Sequence, residues 1–465
     1  MTPVAPDPVR AAIGGLGVPA WLVGGAVRDE RLGRSTADYD VVVAGDPRAA
    51  ARDLARRLGA HAFELSEAFA AWRVVARDHS WQVDLLAVGS GSIEEDLALR
   101  DLTINAIAQP LPEGPAVDPF GGGEDLRARR LRAVSAGAFA RDPLRVLRLV
   151  RLASELGFAV EPATAEQARA VAPRLAQVAP ERIFEELKRI VASPRAVAGV
   201  ELMGELGATR AVLPELADLR GVAQSRYHHL DVYDHTIAVL GETIRIQREP
   251  AAVLGPQAAA ADEFLAVPLA DGLSRWEGLR LAALLHDVAK PQTRAVTPEG
   301  RVTFMGHDRI GAETASGVIG RLRASVRLRE HVAQLVRHHL RLGFLVHDAP
   351  LSRRQVYGYL EACDPVGVDV TVLSLADRLA TRGERSDEAI AKHLELGRSM
   401  LGEALAWQAA PPRAPVRGDE LARELGVAPG PEIGRLLAEL REAAFAREIA
   451  SREEAIERAR SLLDG

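Results

Sequence analysis

The chain has 465 residues, of which 48% are hydrophobic and 4% aromatic, and its formal net charge at pH 7 is −6. This length exceeds one hydrophobic core, since domains usually contain about 100–200 residues. The negative net charge excludes a uniformly basic surface for indiscriminate nucleic-acid binding. The sequence contains no run of about 18 apolar residues, so we predict no membrane partner. One cysteine, Cys363, excludes an intrachain disulfide framework and thiolate zinc sites and favours a reducing cytoplasm.

Hydrophobic periodicity changes along the chain. β-branched runs at 20–23, 39–43, 72–76 and 82–86 alternate with helical stretches such as 46–58, which predicts an α/β unit with a small mixed sheet. Beyond Asp142, apolar residues recur at helical spacing. We therefore predict four domains: a head at 1–135, an all-α neck at 136–222, an α-helical body at 223–385 with an insertion near 251–270, and a helical tail at 386–465.

A cluster of basic residues follows the head. Eight arginines and a single acid, Asp142, lie between residues 127 and 151. Such a cluster can meet several phosphates of an RNA strand, and we expect Arg129, Arg130 and Arg151 to do so. A general preference of this chain for arginine over lysine explains the same cluster without RNA.

Paired glycines near the N-terminus predict a phosphate-binding turn. Leu22 and Val23 lead into Gly24 and Gly25, and a predicted helix that carries Arg28 follows. Backbone N–H groups in such a turn can approach phosphate oxygens closely. A plain strand-to-helix turn has the same sequence.

Two aspartates lie at the edge of the next apolar strand. Asp38 and Asp40 are two residues apart, so both carboxylates point to one face of the sheet. Carboxylates placed in this way can hold two Mg²⁺ ions about 3.5–4 Å apart for in-line phosphoryl transfer. Asp84 is the candidate third carboxylate if its strand neighbours the first.

These residues together resemble motif A of the nucleotidyltransferase superfamily that includes DNA polymerase β. More specifically, they resemble the class II tRNA nucleotidyltransferases and bacterial poly(A) polymerases. The resemblance implies a polymerase β-like head with Mg²⁺ as cofactor, the catalytic residues Asp38, Asp40 and Asp84, and nucleotide binding by Gly24, Gly25 and Arg28.

Residues 99–106 resemble motif B of this family, whose arginine and aspartate contact the ribose hydroxyl. The corresponding residues are Arg100 and Asp101, and Asn105 is a further expected nucleotide contact. A deoxyribonucleotide would leave the arginine and the carboxylate unpaired, which favours ribonucleotides. Leu99 stands where the family usually has a second arginine.

Residues 141–145 resemble the Glu-Asp-x-x-Arg motif with which the family reads the incoming base. Asp142 can accept from the exocyclic amine of C or A while Arg145 donates to the ring, and Arg148 is a further expected nucleotide contact. An aspartate before proline is also a common helix N-cap. Arg141 stands where the family usually has glutamate.

Nine of the twelve histidines lie between His228 and His347. The order of His235, His286-Asp287, His307, His338 or His339, and Asp377 resembles the HD metal-dependent phosphohydrolase superfamily. The resemblance implies a divalent transition metal (Ni, Mn, Co or Fe) held by His235, His286, Asp287 and Asp377. We interpret the remaining histidines of this stretch as surface or packing residues: His228, His229, His331 and His347.

The resemblance extends to residues 418–421 and 429–434 in the tail. It implies template-independent addition of C to the 3′ end of tRNA, as CC or as CCA, with CTP and ATP as substrates. It also implies phosphohydrolase activity on RNA 3′ or cyclic phosphates.

The segment between Asp84 and Arg100 has only fifteen residues. Family members that complete CCA have a longer, flexible loop there, so this chain resembles the CC-adding members, which would need a separate A-adding enzyme as partner. The alternatives are a poly(A) polymerase, or mainly an HD phosphohydrolase with a vestigial head. A pure RNA-binding module would leave two metal-binding constellations unexplained.

Overall fold

A computed structural model describes residues 8–66, 70–88, 91–224, 230–382 and 386–464. The strands are β1 Ala20–Val23, β2 Asp38–Val43, β3 His61–Ser66, β4 Ala71–Val75, β5 Gln82–Ala87, β6 Ala108–Leu111, β7 Arg130–Leu131, β8 Ala159–Val160, β9 Pro268–Ala270, β10 Leu273–Ser274, β11 Ala295–Val296 and β12 Val302–Thr303.

The helices up to the middle of the chain are α1 Pro8–Gly14, α2 Gly25–Arg31, α3 Pro47–Leu58, α4 Ile93–Ala98, α5 Gly122–Ala128, α6 Ala138–Arg141, α7 Arg145–Leu156, α8 Pro162–Val171, α9 Pro180–Ala192, α10 Ala196–Glu205, α11 Ala208–Val212 and α12 Pro214–Ala217. Those that follow are α13 Val232–Arg248, α14 Pro250–Leu254, α15 Ala258–Ala266, α16 Arg275–Leu285, α17 Lys290–Thr293, α18 His307–Arg321, α19 Val326–His338, α20 Arg341–Leu345, α21 Arg353–Ala362, α22 Gly367–Ala380, α23 Ser386–Ala409, α24 Gly418–Leu425, α25 Pro431–Phe445 and α26 Arg452–Asp464.

The chain forms two compact units. The first contains the residues up to Val178 together with Glu201–Val212, and the second contains Ala179–Val200 and Leu213–Gly465. The division into four domains stays a prediction. None of the described helices combines the length and the hydropathy that a membrane crossing requires.

The first unit is built on a mixed six-stranded sheet, as predicted for the head. The strand order is β3-β4-β5-β2-β1-β6, and β2 and β5 are parallel whereas the other neighbouring pairs are antiparallel. Strand β3 has a mostly exposed burial pattern and lies at one edge, and the hydrophobic pattern did not predict it. Strand β6 closes the other edge.

Helix α3 shows why the predicted segment 46–58 is helical. The Asp46 carboxylate accepts from the backbone N–H of Arg48, Pro47 occupies the first helical position, and Gly59 ends the helix in the left-handed conformation. An aspartate N-cap, proline in the first turn and glycine after the last turn are the usual signals of helix bounds. The buried face of α3, which includes Leu54, packs against β4.

Helix α16 lies at the centre of the second unit. Every residue from Gly278 to Leu285 is buried, and the helix packs against α13, α19 and α22. A helix that is buried on all sides is surrounded by other helices, so the residues at its end also lie in the interior of the unit. The N-terminus of α16 is fixed by Ser274 and Glu277, which form a capping box.

The segment near 251–270, predicted as an insertion of weak periodicity, is folded into the second unit. It forms α14, a short 3-10 helix at Gly255–Gln257, and α15. Arg398 of α23 donates to the carbonyl oxygen of Val253 at 2.8 Å, and Trp276 Nε1 donates to Asp262 at 3.0 Å. Alanine-rich helices carry little amphipathic signal, which explains the weak periodicity.

The tail packs around a small core of its own. Helices α24, α25 and α26 contribute buried apolar side chains that include Leu421, Leu436, Leu440 and Ala455. Helix α25 also packs against α21.

Candidate functional site

The sheet of the first unit brings three predicted carboxylates to one face. In the parallel register of β2 and β5, Asp40 lies opposite Asp84 and Asp38 lies opposite Gln82. Side chains two residues apart on a strand share a face, so Asp38, Asp40 and Asp84 form one acidic group, here called the acidic row. The condition set for Asp84, a strand beside β2, is met.

Two flanking donors orient the acidic row. Arg73 donates from Nε and Nη2 to the two carboxylate oxygens of Asp84, at 2.6 and 2.7 Å. Gln82 Nε2 donates to Asp38 Oδ1 at 3.0 Å. A two-point arginine–carboxylate contact fixes the plane of the carboxylate as well as its position.

The electrostatics of Asp40 fit a cation. Burial raises the pKa of Asp40, Arg100 opposes this shift, and the neighbouring carboxylates of Asp38 and Asp84 raise the pKa further. Clustered oxygen ligands with excess negative charge are what a hard divalent ion such as Mg²⁺ binds. The residues of the acidic row therefore fit this cofactor.

Gly24 leaves the space beside Asp40. Its φ is +69°, and a Cβ at this position would lie 2.9 Å from Asp40 Oδ2 and 3.0 Å from Arg100 Nη1. Only glycine adopts this conformation without strain while leaving such a close approach open. Gly25 begins α2, so the predicted strand–turn–helix arrangement is present.

The residues of motif B form a buried polar chain. Arg28 Nη1 donates to Asn105 Oδ1 at 2.9 Å, Asn105 Nδ2 donates to Asp101 Oδ1 at 3.0 Å, and Arg148 Nε donates to Asp101 Oδ2 at 2.8 Å. Burial raises the pKa of Asp101, but Arg148 and Asn105 outweigh it and hold the pKa below its usual range. Asp101 and Arg28 are turned towards the protein here, and direct nucleotide contacts by them stay predictions.

The base-reading pair lies where α6 gives way to α7. Asp142 is extended and its Oδ1 accepts from the backbone N–H of Leu144 at 3.1 Å, in the turn that leads into α7. Arg145 is the first residue of α7 and donates to the carbonyl oxygens of Leu99 at 2.7 Å and Arg100 at 3.1 Å. The structure thus brings Arg145 against motif B, and Asp142 lies three residues before it at the end of α6.

The three predicted RNA-binding arginines have different surroundings. Arg129 is exposed and lies over the Phe158 ring, 5.6 Å from its centroid. Arg130 Nε donates to the buried carboxylate of Asp125 at 2.6 Å. Arg151 is only 6% exposed and its guanidinium pairs with Glu155, so the structure gives no support to RNA contact by this residue, which stays a prediction.

The predicted histidine and aspartate ligands converge in the second unit. His286 and Asp287 follow α16, and the other members come from four further helices or their ends: His235 in α13, His307 in α18, His339 after α19, and Asp377 in α22. These six residues are here called the HD centre. All but Asp377, whose side chain is 24% exposed, are buried.

Backbone carbonyls orient three of the histidines. The Nδ1 atoms of His286, His307 and His339 lie 2.8, 2.6 and 2.7 Å from the carbonyl oxygens of the residues three positions earlier. Each Nδ1–H donates there, which leaves the lone pair of Nε2 facing the interior. None of these three Nε2 atoms has a well-aligned hydrogen-bond partner among the described residues, and the Asp287 carboxylate lies 3.2 Å from His286 Nε2 and 3.4 Å from His307 Nε2. A histidine held in this way is arranged as a metal ligand.

Asp287 is shared by two sets of donors. One set consists of His235, His286 and Asp287, and the other of Asp287, His307 and His339; within each set the ligand atoms lie within 4.8 Å of one another. Either set could hold a divalent ion, and Asp287 belongs to both. His339, and not the neighbouring His338, belongs to it, since His338 Nδ1 accepts from Arg341 at 2.8 Å instead.

Protonation of the HD centre also points to a cation. Burial lowers the pKa of His339 to about 4, so this imidazole is neutral at pH 7 and able to bind a metal. Burial lowers the pKa of His286 as well, but the adjacent Asp287 prevails and raises it. The buried carboxylate thus draws positive charge to this position, which a metal ion also supplies.

The other histidines of the cluster stay apart from the HD centre. His331 Nε2 faces Asp369 Oδ1 at 3.5 Å in the interior, and His347 is exposed. Both agree with a packing or surface role. His228 and His229 lie outside the described residues.

Three family models match the chain. The poly A polymerase head domain matches residues 20–132, the probable RNA and SrmB-binding site of polymerase A matches 157–219, and the HD domain matches 232–382. The A-adding tRNA nucleotidyltransferase of Deinococcus radiodurans is 38% identical over 443 residues, with 94% of each chain covered. The chain belongs to the tRNA nucleotidyltransferase family.

Further tRNA nucleotidyltransferases agree with this assignment. The CC-adding enzyme of Thermus thermophilus is 36% identical over 446 residues, which cover 94% of this chain and 92% of that protein. The solved Thermotoga maritima CCA-adding enzyme with tRNA shares 19% identity and a TM-score of 0.63, with 98% and 94% of the two chains covered. A CCA-adding enzyme with ATP has a TM-score of 0.67, 19% identity and coverage of 99% and 95%. The predicted fold class, a polymerase β-like head followed by helical domains with an HD body, is confirmed.

The sequence analysis missed two residues that contact the predicted metal-binding carboxylates of this tRNA nucleotidyltransferase. Arg73 pairs with Asp84, and Lys290 Nζ forms an ion pair with Asp287 Oδ2 at 2.6 Å. Arg73 is a charged residue on an otherwise apolar strand, and Lys290 lies one helical turn after Asp287. A lone cation in an apolar run was the available signal for Arg73.

Proposed function

We propose that the chain adds cytidines to the 3′ end of tRNA, with CTP as substrate and Mg²⁺ held by the acidic row. The observation that carries this proposal is the register that sets Asp40 opposite Asp84 beside the Gly24 turn. The CC-adding and A-adding relatives support tRNA as the acceptor over the poly(A) alternative.

The chemistry follows from the residues around the acidic row. Mg²⁺ supplies the Lewis acid that stabilises charge on the transferring phosphoryl group. Asp38, Asp40 and Asp84 would hold it, and Arg73 keeps the Asp84 carboxylate in one orientation. The N–H groups after Gly24 lie at the start of α2, where they can bind the triphosphate.

Base selection is assigned to Asp142 and Arg145. Asp142 accepts from the exocyclic amine of cytosine, and Arg145 donates to the neighbouring ring nitrogen or carbonyl. Uracil and guanine present an oxygen where an amine is required, so that oxygen would face a carboxylate without a donor between them. This supports C and A as the bases that the site can distinguish from U and G.

The number and kind of nucleotides depend on the connection from β5 to α4. Only residues 88–92 separate these two elements, and the resemblance associates a short segment with CC addition. A separate A-adding enzyme is then the expected partner. A second candidate is addition of A, which the 38% identity to an A-adding enzyme favours.

We also propose that the HD centre hydrolyses phosphate esters at RNA 3′ ends, including cyclic phosphates. Two donor sets joined by Asp287 support a pair of transition-metal ions such as Ni, Mn, Co or Fe. Such ions lower the pKa of a bound water to supply a nucleophile at neutral pH. A cytoplasmic location stays a prediction.

The test uses tRNA transcripts that lack the last three nucleotides and transcripts that end in CC, each incubated with CTP and ATP, separately and together, and sequenced at the 3′ end. We expect two cytidines on the first substrate and no adenosine on either. Efficient CCA ends, or addition of A alone to tRNA that ends in CC, would overturn CC addition, and long A tails would establish the poly(A) alternative.

Paired variants separate the two centres. Asp38→Ala is expected to abolish nucleotide incorporation and to leave hydrolysis of a 2′,3′-cyclic phosphate intact. His286→Ala with Asp287→Ala is expected to do the reverse. An unmodified protein that hydrolyses but never incorporates nucleotides would establish a vestigial head.

A further inference from the structure

Two departures from the family motifs meet at one junction of the first unit. In the resemblance described above, Leu99 stands where the family usually has arginine, and Arg141 stands where it usually has glutamate. Arg141 Nη1 donates to the carbonyl oxygen of Ala98 at 3.0 Å. Ala98 is the last residue of α4 and Arg141 the last residue of α6, so a cation at the end of one helix caps the end of the other.

The same end of α4 positions the base reader. Arg145 donates to the carbonyl oxygens of Leu99 and Arg100, and also to that of Ala138 at 3.0 Å. Residues 98–100 therefore offer three successive carbonyl oxygens to two arginines. Because a guanidinium is planar and its donors have fixed directions, these carbonyls set the plane of Arg145.

Helix α4 is fixed by packing along its length. Ile93 and Leu97 of α4 are buried in an apolar cluster with Val23 and Val42 of the sheet. The helix is thus held along its length by this packing and at its end by Arg141.

We propose that Arg141 is a positioning residue that fixes the base site in the form that accepts cytosine and hinders adenine. This inference rests on the proposed CC addition. Adenine is larger than cytosine by one ring, so Arg145 must move to receive it. Arg145 is held by the carbonyl oxygens of Leu99 and Arg100, and Arg141 holds the carbonyl oxygen that precedes them, that of Ala98.

The experiment measures kcat and KM for CTP and for ATP on tRNA that lacks CCA and on tRNA that ends in CC. The variants are Arg141→Gln, Arg141→Glu and Arg141→Lys. We expect Gln and Glu to raise the ratio of kcat/KM for ATP to that for CTP about tenfold, mainly through the KM for ATP, since they release one hydrogen bond from a charged donor. Lysine retains a cationic N–H donor and is expected to keep a ratio near that of the unmodified protein.

Arg174→Gln is the matched control. Arg174 is also exposed in the first unit, and its Nη1 donates to a helical carbonyl, that of Ala140, at 3.2 Å. The Arg174→Gln variant loses an equivalent hydrogen bond to the residue before Arg141, and the hydrogen bonds of residues 98–100 are unaffected. We expect it to leave the ratio unchanged. Thermal unfolding of all four variants shows that each is folded.

The outcomes are distinguishable. An unchanged ratio in Arg141→Gln and Arg141→Glu, or an equal change in Arg174→Gln, overturns the role of Arg141 and leaves CC addition standing. A lysine variant with the ratio of the glutamine variant overturns it as well. An unmodified protein that adds A efficiently overturns the proposed CC addition, and the role of Arg141 with it.

Discussion

The acidic row and the HD centre both collect carboxylates for cations, but they hold their ligands in different ways. The acidic row lies on a sheet face, where side chains of neighbouring strands, Arg73 and Gln82, donate to Asp84 and Asp38. In the HD centre, backbone carbonyls orient His286, His307 and His339. The first arrangement depends on side chains that a single mutation can remove. The second depends on helix backbone, which a single side-chain mutation leaves in place.

This difference teaches where each centre is vulnerable. The acidic row is sensitive to single side-chain changes around it, because its orientation comes from individual hydrogen bonds. The HD centre is sensitive to loss of a ligand and tolerant of changes nearby. The four predictions that follow test this contrast, from the largest expected effect to the smallest.

Gly24→Ala is expected to lower nucleotide incorporation about 100-fold, because the new Cβ would lie 2.9 Å from Asp40 Oδ2 in a backbone conformation, φ +69° and ψ −134°, that costs about 1–3 kcal/mol without glycine. Incorporation of labelled CTP into tRNA measures the effect. Gly33→Ala is the control, since Gly33 has a φ of +68° but meets nothing within 4 Å. Equal losses in both variants would show that strain alone, and not the approach to Asp40, explains the loss.

Arg73→Gln is expected to lower kcat for incorporation about tenfold and to raise the Mg²⁺ concentration needed for half-maximal rate. The Asp84 carboxylate loses a two-point contact whose energy is about 1.5–3 kcal/mol. A Mg²⁺ titration of the incorporation rate measures both. Arg73→Lys should recover part of the loss, and an unchanged Mg²⁺ dependence would contradict the role given to Arg73.

Removal of metal from the HD centre is expected to lower the melting temperature of the second unit by about 5 °C relative to protein with Ni²⁺ or Mn²⁺ at 100 times its Kd, which corresponds to about 2.7 kcal/mol. Thermal unfolding with a chelator and after metal is restored measures this shift. Asp287→Asn removes the shared carboxylate charge and should abolish the response to metal. A shift of the same size in that variant would place the metal elsewhere.

His331→Gln should flatten the pH dependence of stability without changing metal binding. Burial and the nearby Arg275 and Arg327 lower the pKa of His331 to about 3 from an ordinary value near 6.5. The unfolded chain therefore binds a proton that the folded chain refuses, and stability falls as the pH drops from about 6.5 towards 3. Urea unfolding at several pH values measures the slope. An unchanged slope would show that His331 contributes nothing to it.

Much of the sheet could be predicted from the sequence because its central strands are apolar and β-branched. Strand β3 could not, since it lies at an edge and Phe63 and Leu65 are exposed there at 46% and 44%. An edge strand exposes one side of its backbone and buries fewer side chains, so the alternating pattern is weak. Arg73, the partner of Asp84, was missed for a related reason, because its pairing across β4 and β5 depends on the register of these two strands.

The candidate sites, like the sheet, have features that the sequence predicts and features that only the structure shows. The residue types of the acidic row and the HD centre are visible in the sequence, whereas choices between neighbours are geometric. His338 and His339 are adjacent, and only the end of α19 decides which one is buried. Arg151 belongs to a basic cluster in sequence, but the helical period turns it inward to Glu155.

The hydrogen bonds from histidine Nδ1 to backbone carbonyls have a further consequence. His286 and His339 are the C-cap residues of α16 and α19, and their rings bond to carbonyls of the last turn. Such carbonyls lack a donor from within the helix. The rings therefore terminate the helices and aim the ligands in one interaction. The length of each helix therefore sets the position of its histidine in the HD centre. One residue added to α16 would move the end of the helix by 1.5 Å and rotate it by about 100°, which would carry His286 away from its partners.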